Sequence, residues 1–166
     1  MIQLYQEYVK TADTEEDRVE YQNKLNDAIR EEYEERKRIR EFEQSFIETA
    51  LDRQSGTAWS DSGTYESLIN AQMESYVRDA EAAQAEITRL TQQWIGTYME
   101  EGYSYDQAKE LAGMTEDVQD ATQDYLDAIE KQAELTITRV TDKLDEIEQR
   151  ISDLEASKPQ EWTSID

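Results

Sequence analysis

Residues 69–94 read INAQMESYVRDAEAAQAEITRLTQQW. Their apolar and small positions, Ile69, Met73, Tyr76, Ala80, Ala83, Ile87, Leu90 and Trp94, are separated by gaps that alternate between four and three. A strand would repeat every two residues, whereas gaps of three and four put all eight side chains on one face of an α-helix. The stretch therefore predicts a long helix, from about Tyr65 to Glu101, with a helix-packing seam along one side. Ala80 and Ala83, at its middle, leave room for a facing backbone or for a bulky side chain from it.

Working outward, Gly102 is a natural helix stop, and Ser104 with Gln107 has the spacing of a capping box that starts a short helix ending at Gly113. Thr115, followed by Glu116 and Asp117, is placed to cap a last long helix running to Ala156, before Pro159. That helix carries Leu126, Ile129 and Ala133, and then Ile137, Val140, Leu144, Ile147, Ile151 and Leu154 with gaps of 3, 4, 3, 4, 3. One extra residue between Ala133 and Ile137 is a stutter, which locally unwinds a supercoil. On the other side of the opening stretch, residues 1–53 are rich in helix formers. They are interrupted at KTADTEED, where Asp13 or Thr14 can cap a fresh start.

The whole is expected to be all-α and elongated, with a helical hairpin and a C-terminal coiled coil. Its divisions are a kinked N-terminal helix over 1–53, a loop over 54–63, a long helix with a short connecting helix over 64–115, a coiled-coil helix over 116–157 and a tail over 158–166. Within 1–53, Leu25, Ala28 and Ile29, and later Ile39, Phe42, Phe46 and Ala50, follow the same three-four spacing. Between those clusters lie Arg36, Lys37, Arg38 and Arg40. They read first as exposed i,i+4 partners of Glu32 and Glu34, and second as a grip for phosphate or an acidic patch. Trp59 in the loop, and Trp162 and Ile165 in the tail, lie outside every seam and are docking candidates, onto the chain's own helices or onto a neighbour.

Taking Ile137, Leu144 and Ile151 as heptad positions a places Val140, Ile147 and Leu154 at d. Lys143 and Arg150 then fall at g, and Glu148 and Glu155 at e. In a parallel pair g meets the following e of the other helix, joining Lys143 to Glu148 and Arg150 to Glu155, whereas an antiparallel self-pair sets like charges together. Residues 137–157 are thus expected to form a parallel homo-oligomer, and branched residues at both a and d lean toward three strands or more. The competing expectation is an intrachain hairpin with the second helix, strongest for 118–135; both can hold along one helix.

Composition narrows the chemistry. The chain has 166 residues, 37% hydrophobic and 34% charged, too little apolar material for a thick core but enough for long thin helices. It contains neither Cys nor His, which removes thiol nucleophiles, disulfides, imidazole bases and the commonest metal ligands. Among 40 Asp and Glu, close carboxylate pairs arise by chance and mark no site. No phosphate loop, nucleophile elbow, calcium loop or zinc ligand set is present, so no catalytic residue, metal or cofactor is expected. Trp94-Ile95-Gly96 resembles the turn of WXG-type secreted helical hairpins. No Tyr here has Asp or Glu four residues on, however, so that family's second mark is missing.

The net charge of -23 repels nucleic acid and anionic lipid and favours basic partners or a crowded assembly. No apolar run approaches a membrane span, and MIQLYQEYVK lacks the order of a signal peptide, so synthesis in the cytoplasm is expected. The leading expectation is a non-enzymatic structural protein that oligomerises and docks into a larger particle. A phage or viral virion component such as a fibre, neck or decoration subunit is the first choice. An acidic DNA mimic that inhibits a basic nucleic-acid-binding protein is the second, and an assembly scaffold or chaperone for a basic client the third.

Overall fold

The computed structural model describes residues 1–55 and 62–158, and its ordered elements are all helices: α1 Ile2–Thr11, α2 Glu15–Ser55, α3 Ser62–Glu100, α4 Tyr105–Gly113 and α5 Glu116–Ala156. The chain is all-α. α2 runs to Ser55 and α3 starts at Ser62, so both helices extend into the span 54–63 read from sequence as loop. Trp59, Trp162 and Ile165 lie outside the described residues.

Local signals set the helix ends. The Thr14 hydroxyl accepts from the Asp17 amide at 3.1 Å, and Glu15, Glu16 and Asp17 place negative charge on the first turn of α2. α3 closes at Gly102, whose φ of 101° suits only glycine, with the Tyr103 amide bonded back to the Tyr98 carbonyl. Ser104 and Gln107 form a complete capping box on α4. Thr115 stands at the N-cap of α5, but its side chain does not cap. The hydroxyl donates instead to the Ala112 carbonyl at 2.7 Å, joining α5 to the last turn of α4.

Three long helices run side by side. Arg30 meets Glu86, Arg40 meets Asp79 and Gln44 meets Ser75, so α2 and α3 are antiparallel. Leu90 packs with Val118, the Gln132 amide reaches the Tyr76 carbonyl, and Tyr65 bonds Asp142, so α3 and α5 are antiparallel as well. α2 and α5 are therefore parallel, with α3 packed against both. α1 folds back on the first turns of α2 through the Tyr8 and Tyr21 rings, 5.0 Å apart, and α4 packs on the end of α3.

The α3 seam lies inside. Ile69, Tyr76, Ala80, Ala83 and Leu90 are buried, and Met73, Ile87 and Trp94 partly so. Small residues on the facing elements, Ala121 and Ala128 on α5 and Ala108 and Ala112 on α4, are buried as well, which lets the backbones approach closely. The α3–α5 contact is thus a narrow apolar strip centred on Leu90, Val118 and Ala121, with Ile87 and Trp94 against it.

The α2–α3 contact is held differently. Arg40 is paired with Asp79, Gln44 donates to the Ser75 hydroxyl at 2.9 Å and also to Asp79, and the buried Glu86 receives both Arg30 and Arg89. Asp124 of α5 accepts from the Tyr33 hydroxyl at 2.8 Å and from Lys37 at 2.7 Å. Burial and the Asp124 carboxylate push the Tyr33 phenol well above its ordinary range. For Lys37, burial opposes the charge, yet the hydrogen bond and field of Asp124 hold the ammonium above its usual value. Lys37 and Arg40 therefore do not form the exposed basic cluster expected from the sequence; they turn inward to acids on the neighbouring helices. Glu32 does pair with Arg36, but Glu34 pairs with Arg30 at 3.1 Å, leaving Arg38 without an acid partner among the described residues.

Candidate self-association face

α5 carries two stripes. The inner one, Val118, Ala121, Asp124, Ala128, Gln132, Leu135, Arg139 and Asp142, contains every α5 side chain noted above as touching α2 or α3, and beyond its first turns it is small or polar except for Leu135. The outer one is the aliphatic seam. Since each residue advances about 100° around a helix, Ile137, Val140, Leu144, Ile147, Ile151 and Leu154 point away from the inner stripe. They are between 51 and 71% exposed. Leu126 and Ile129, further back on the same side, are exposed too. In the heptad assignment Arg139 takes position c and Asp142 position f, so α3 occupies the side of α5 opposite a and d.

The intrachain contact is tied off near its end by polar groups. Arg139 lies 3.5 Å from Glu66, and the Tyr65 hydroxyl donates to Asp142 at 2.5 Å. That hydrogen bond, with some burial, pushes the Tyr65 phenol up to about 12 from 10.0. A shallow cleft lined by Tyr65, Ile69, Arg139, Asp142 and Glu146 marks the last contact between α3 and α5 among the described residues. From residue 140 to 158 every residue is exposed, and the ten residues 147–156 project past α3 by about 15 Å at the helical rise.

The flanking charges are arranged as follows. Lys143 lies 3.6 Å from Glu146, and Arg150 lies 3.2 Å from the same Glu146; all three side chains are at least half exposed. Glu148 and Glu155 have no cation among the described residues. Exposed i,i+3 and i,i+4 pairs of this kind are worth a few tenths of a kcal/mol. They do not hold Lys143 and Arg150 away from a better-placed carboxylate.

A second exposed stripe lies on α2: Ile39, Phe42 and Phe46, with Phe42 and Phe46 75% and 71% exposed. The sequence placed these residues on one side, but nothing in the three-four spacing tells which side faces the core. Leu25 and Tyr33 are buried nearer the start of α2, but from Lys37 to Gln44 its core-facing side is polar.

Among the described residues, no group of three or more acidic side chains is placed to hold a metal ion, and no helix is long and apolar enough to cross a membrane. No protein-family model matches the chain, and no curated protein or solved structure is significantly similar to it.

Proposed function

We propose that this protein is a non-enzymatic assembly subunit that associates with copies of itself through the outer seam of α5, as a parallel coiled coil. The observation that carries the reading is the separation of the two α5 stripes: α3 engages the c and f side while the a and d side stays exposed over six consecutive positions. Self-association therefore needs no opening of the chain. Six half-exposed aliphatic side chains supply on the order of 500 Å² per copy. A pair would bury about 1,000 Å² in the seam alone, the size at which specific interfaces begin.

Charge selects the orientation. Parallel pairing brings Lys143 to Glu148 and Arg150 to Glu155 of a second copy, giving partners to two carboxylates that have no cation among the described residues. Branched residues at both a and d, Ile137, Val140, Ile147 and Ile151, lean toward three strands or more. The net charge of -23 accumulates with every copy added, so basic neighbours in a larger particle fit the same reading. A virion is the particle class we favour, with Trp59, Trp162 and Ile165 as the groups that would dock there.

The chain has no cysteine, so single-cysteine cross-linking is clean. Ile137→Cys alone and Leu154→Cys alone are each expected to form a disulfide with its own kind on oxidation, because parallel helices align equal positions. Cross-linking only when the two variants are mixed would indicate antiparallel pairing, and no cross-linking in any combination would remove the proposal.

A further inference from the structure

The α2 stripe repeats the geometry of the α5 seam. With Ile39 and Phe46 at a and Phe42 and Thr49 at d, Arg40 falls at b, Lys37 and Gln44 at f, and these are the side chains bound to Asp79, Asp124 and Ser75. As on α5, where the c and f side meets α3, one side of the helix, here b and f, is used within the chain and the a and d side is left open. Phe42 and Phe46, the two phenylalanines of the chain, are both about three-quarters exposed and one helical turn apart, and no described residue covers them.

The flanking charges say what fits there. Among the described residues Arg38 at g has no acid partner, and neither Glu43 at e nor Glu31 at g has a cation. In a parallel pair of α2 helices, Arg38 meets Glu43 of the second copy and Glu31 meets Arg36, each interaction occurring twice. Antiparallel pairing that keeps a opposite d sets Phe46 against Glu35 and Glu31 near Asp52 in one register, and Glu43 against Glu43 of the second copy in the next. We infer that the Ile39–Phe42–Phe46 stripe is a second homotypic contact, in which α2 packs parallel against α2 of another copy.

The contact is small. Two aromatic rings and one aliphatic side chain bring roughly 350 Å² per copy, well under what a stand-alone interface needs. It works as a lateral contact between chains already gathered through α5, where linkage raises the effective concentration. α2 and α5 are parallel and their open stripes face different directions. A copy bound on one stripe leaves the other free, so the weaker α2 contact joins discrete α5 oligomers side by side where they are already crowded, as in a larger particle. The α2 contact does not rest on the α5 seam being used, only its cooperation with it does.

The test uses the full chain with the α5 seam silenced by Ile147→Asp and Ile151→Asp, carrying Thr49→Cys at a d position of α2. Oxidation at high protein concentration is expected to give the homotypic disulfide. Phe42→Ser with Phe46→Ser is expected to slow it at least tenfold. Arg38→Glu is expected to slow it severalfold, with recovery when Glu43→Arg is added. A cross-linking rate indifferent to the two Phe substitutions, or no recovery in the charge-swapped pair, would overturn the inference. Because the α5 seam is already disabled, this result is independent of whether α5 self-associates.

Discussion

Replacing Ile147 and Ile151 by Asp separates the fold of the single chain from its assembly. Both side chains are about half exposed and touch no other helix, so the substitutions remove no intrachain packing. Ile and Asp also have similar helix propensities. The change in monomer stability should therefore stay within about 0.5 kcal/mol, the usual range for surface positions. In the assembled seam each Ile would bury the remaining half of its surface, on the order of 90 Å², worth about 2 kcal/mol per side chain. Two positions per chain give roughly 4 kcal/mol, and a carboxylate forced into the seam adds several more. At 1.4 kcal/mol per tenfold, self-association should weaken by at least three orders of magnitude. Sedimentation equilibrium reads the assembly, and urea melts followed by circular dichroism read the fold at a concentration where only monomer is present. An oligomer of unchanged mass, or a monomer that loses several kcal/mol of stability, would refute the reasoning, the first by removing the seam and the second by showing an intrachain role.

Reversing Lys143 and Arg150 to Glu should weaken the oligomer by severalfold to tenfold, with the loss shrinking at high salt, because both g positions then face Glu148 and Glu155; unchanged affinity at low salt would rule out the parallel register. Asp124→Ala strips the acceptor from both Tyr33 and Lys37 and should cost roughly 2–4 kcal/mol in denaturant melts, whereas Asp124→Leu with Lys37→Met should recover much of it. The Tyr65 phenol should ionise near pH 12, seen as the part of the ultraviolet tyrosinate titration lost in Tyr65→Phe, and Asp142→Asn should bring it back toward 10. A phenol raised in the folded chain stabilises the fold fully below pH 10 and loses that contribution as pH rises through 12, so Asp142→Asn should flatten the alkaline fall in stability over that window.

How much was legible follows from where each helix is greasy. The α3 seam could be read because its partners are apolar or small, and Ile69, Tyr76, Ala83 and Leu90 obey the ordinary rule that apolar faces turn inward. α5 has two stripes, and periodicity registers only the aliphatic one from Ile137 to Leu154. The stripe that packs on α3 includes Asp124, Gln132, Arg139 and Asp142, whose partners Lys37, Tyr76, Glu66 and Tyr65 are distant in sequence. On α2 Leu25 and Tyr33 obey that rule too, but from Lys37 to Phe46 it is inverted. Lys37, Arg40 and Gln44 go inside because Asp124, Asp79 and Ser75 receive them, while Phe42 and Phe46 stay outside. No single-sequence pattern reports that an acid on another helix lies opposite a given cation. The helix ends were readable at Thr14, Gly102 and Ser104, where the cap is written in adjacent residues. Thr115 was readable as the residue that precedes α5, though not its side-chain partner, since its hydroxyl donates to the Ala112 carbonyl.

The most direct measurement on the central claim is the absolute mass of the purified full chain by light scattering, across concentrations from the micromolar to the millimolar range. The account predicts a discrete oligomer, a trimer or larger, that dissociates on dilution to the 19.4 kDa chain and is abolished by Ile147→Asp with Ile151→Asp. A helical monomer at every concentration would contradict it, and would mean that the exposed α5 seam does not bind its own kind.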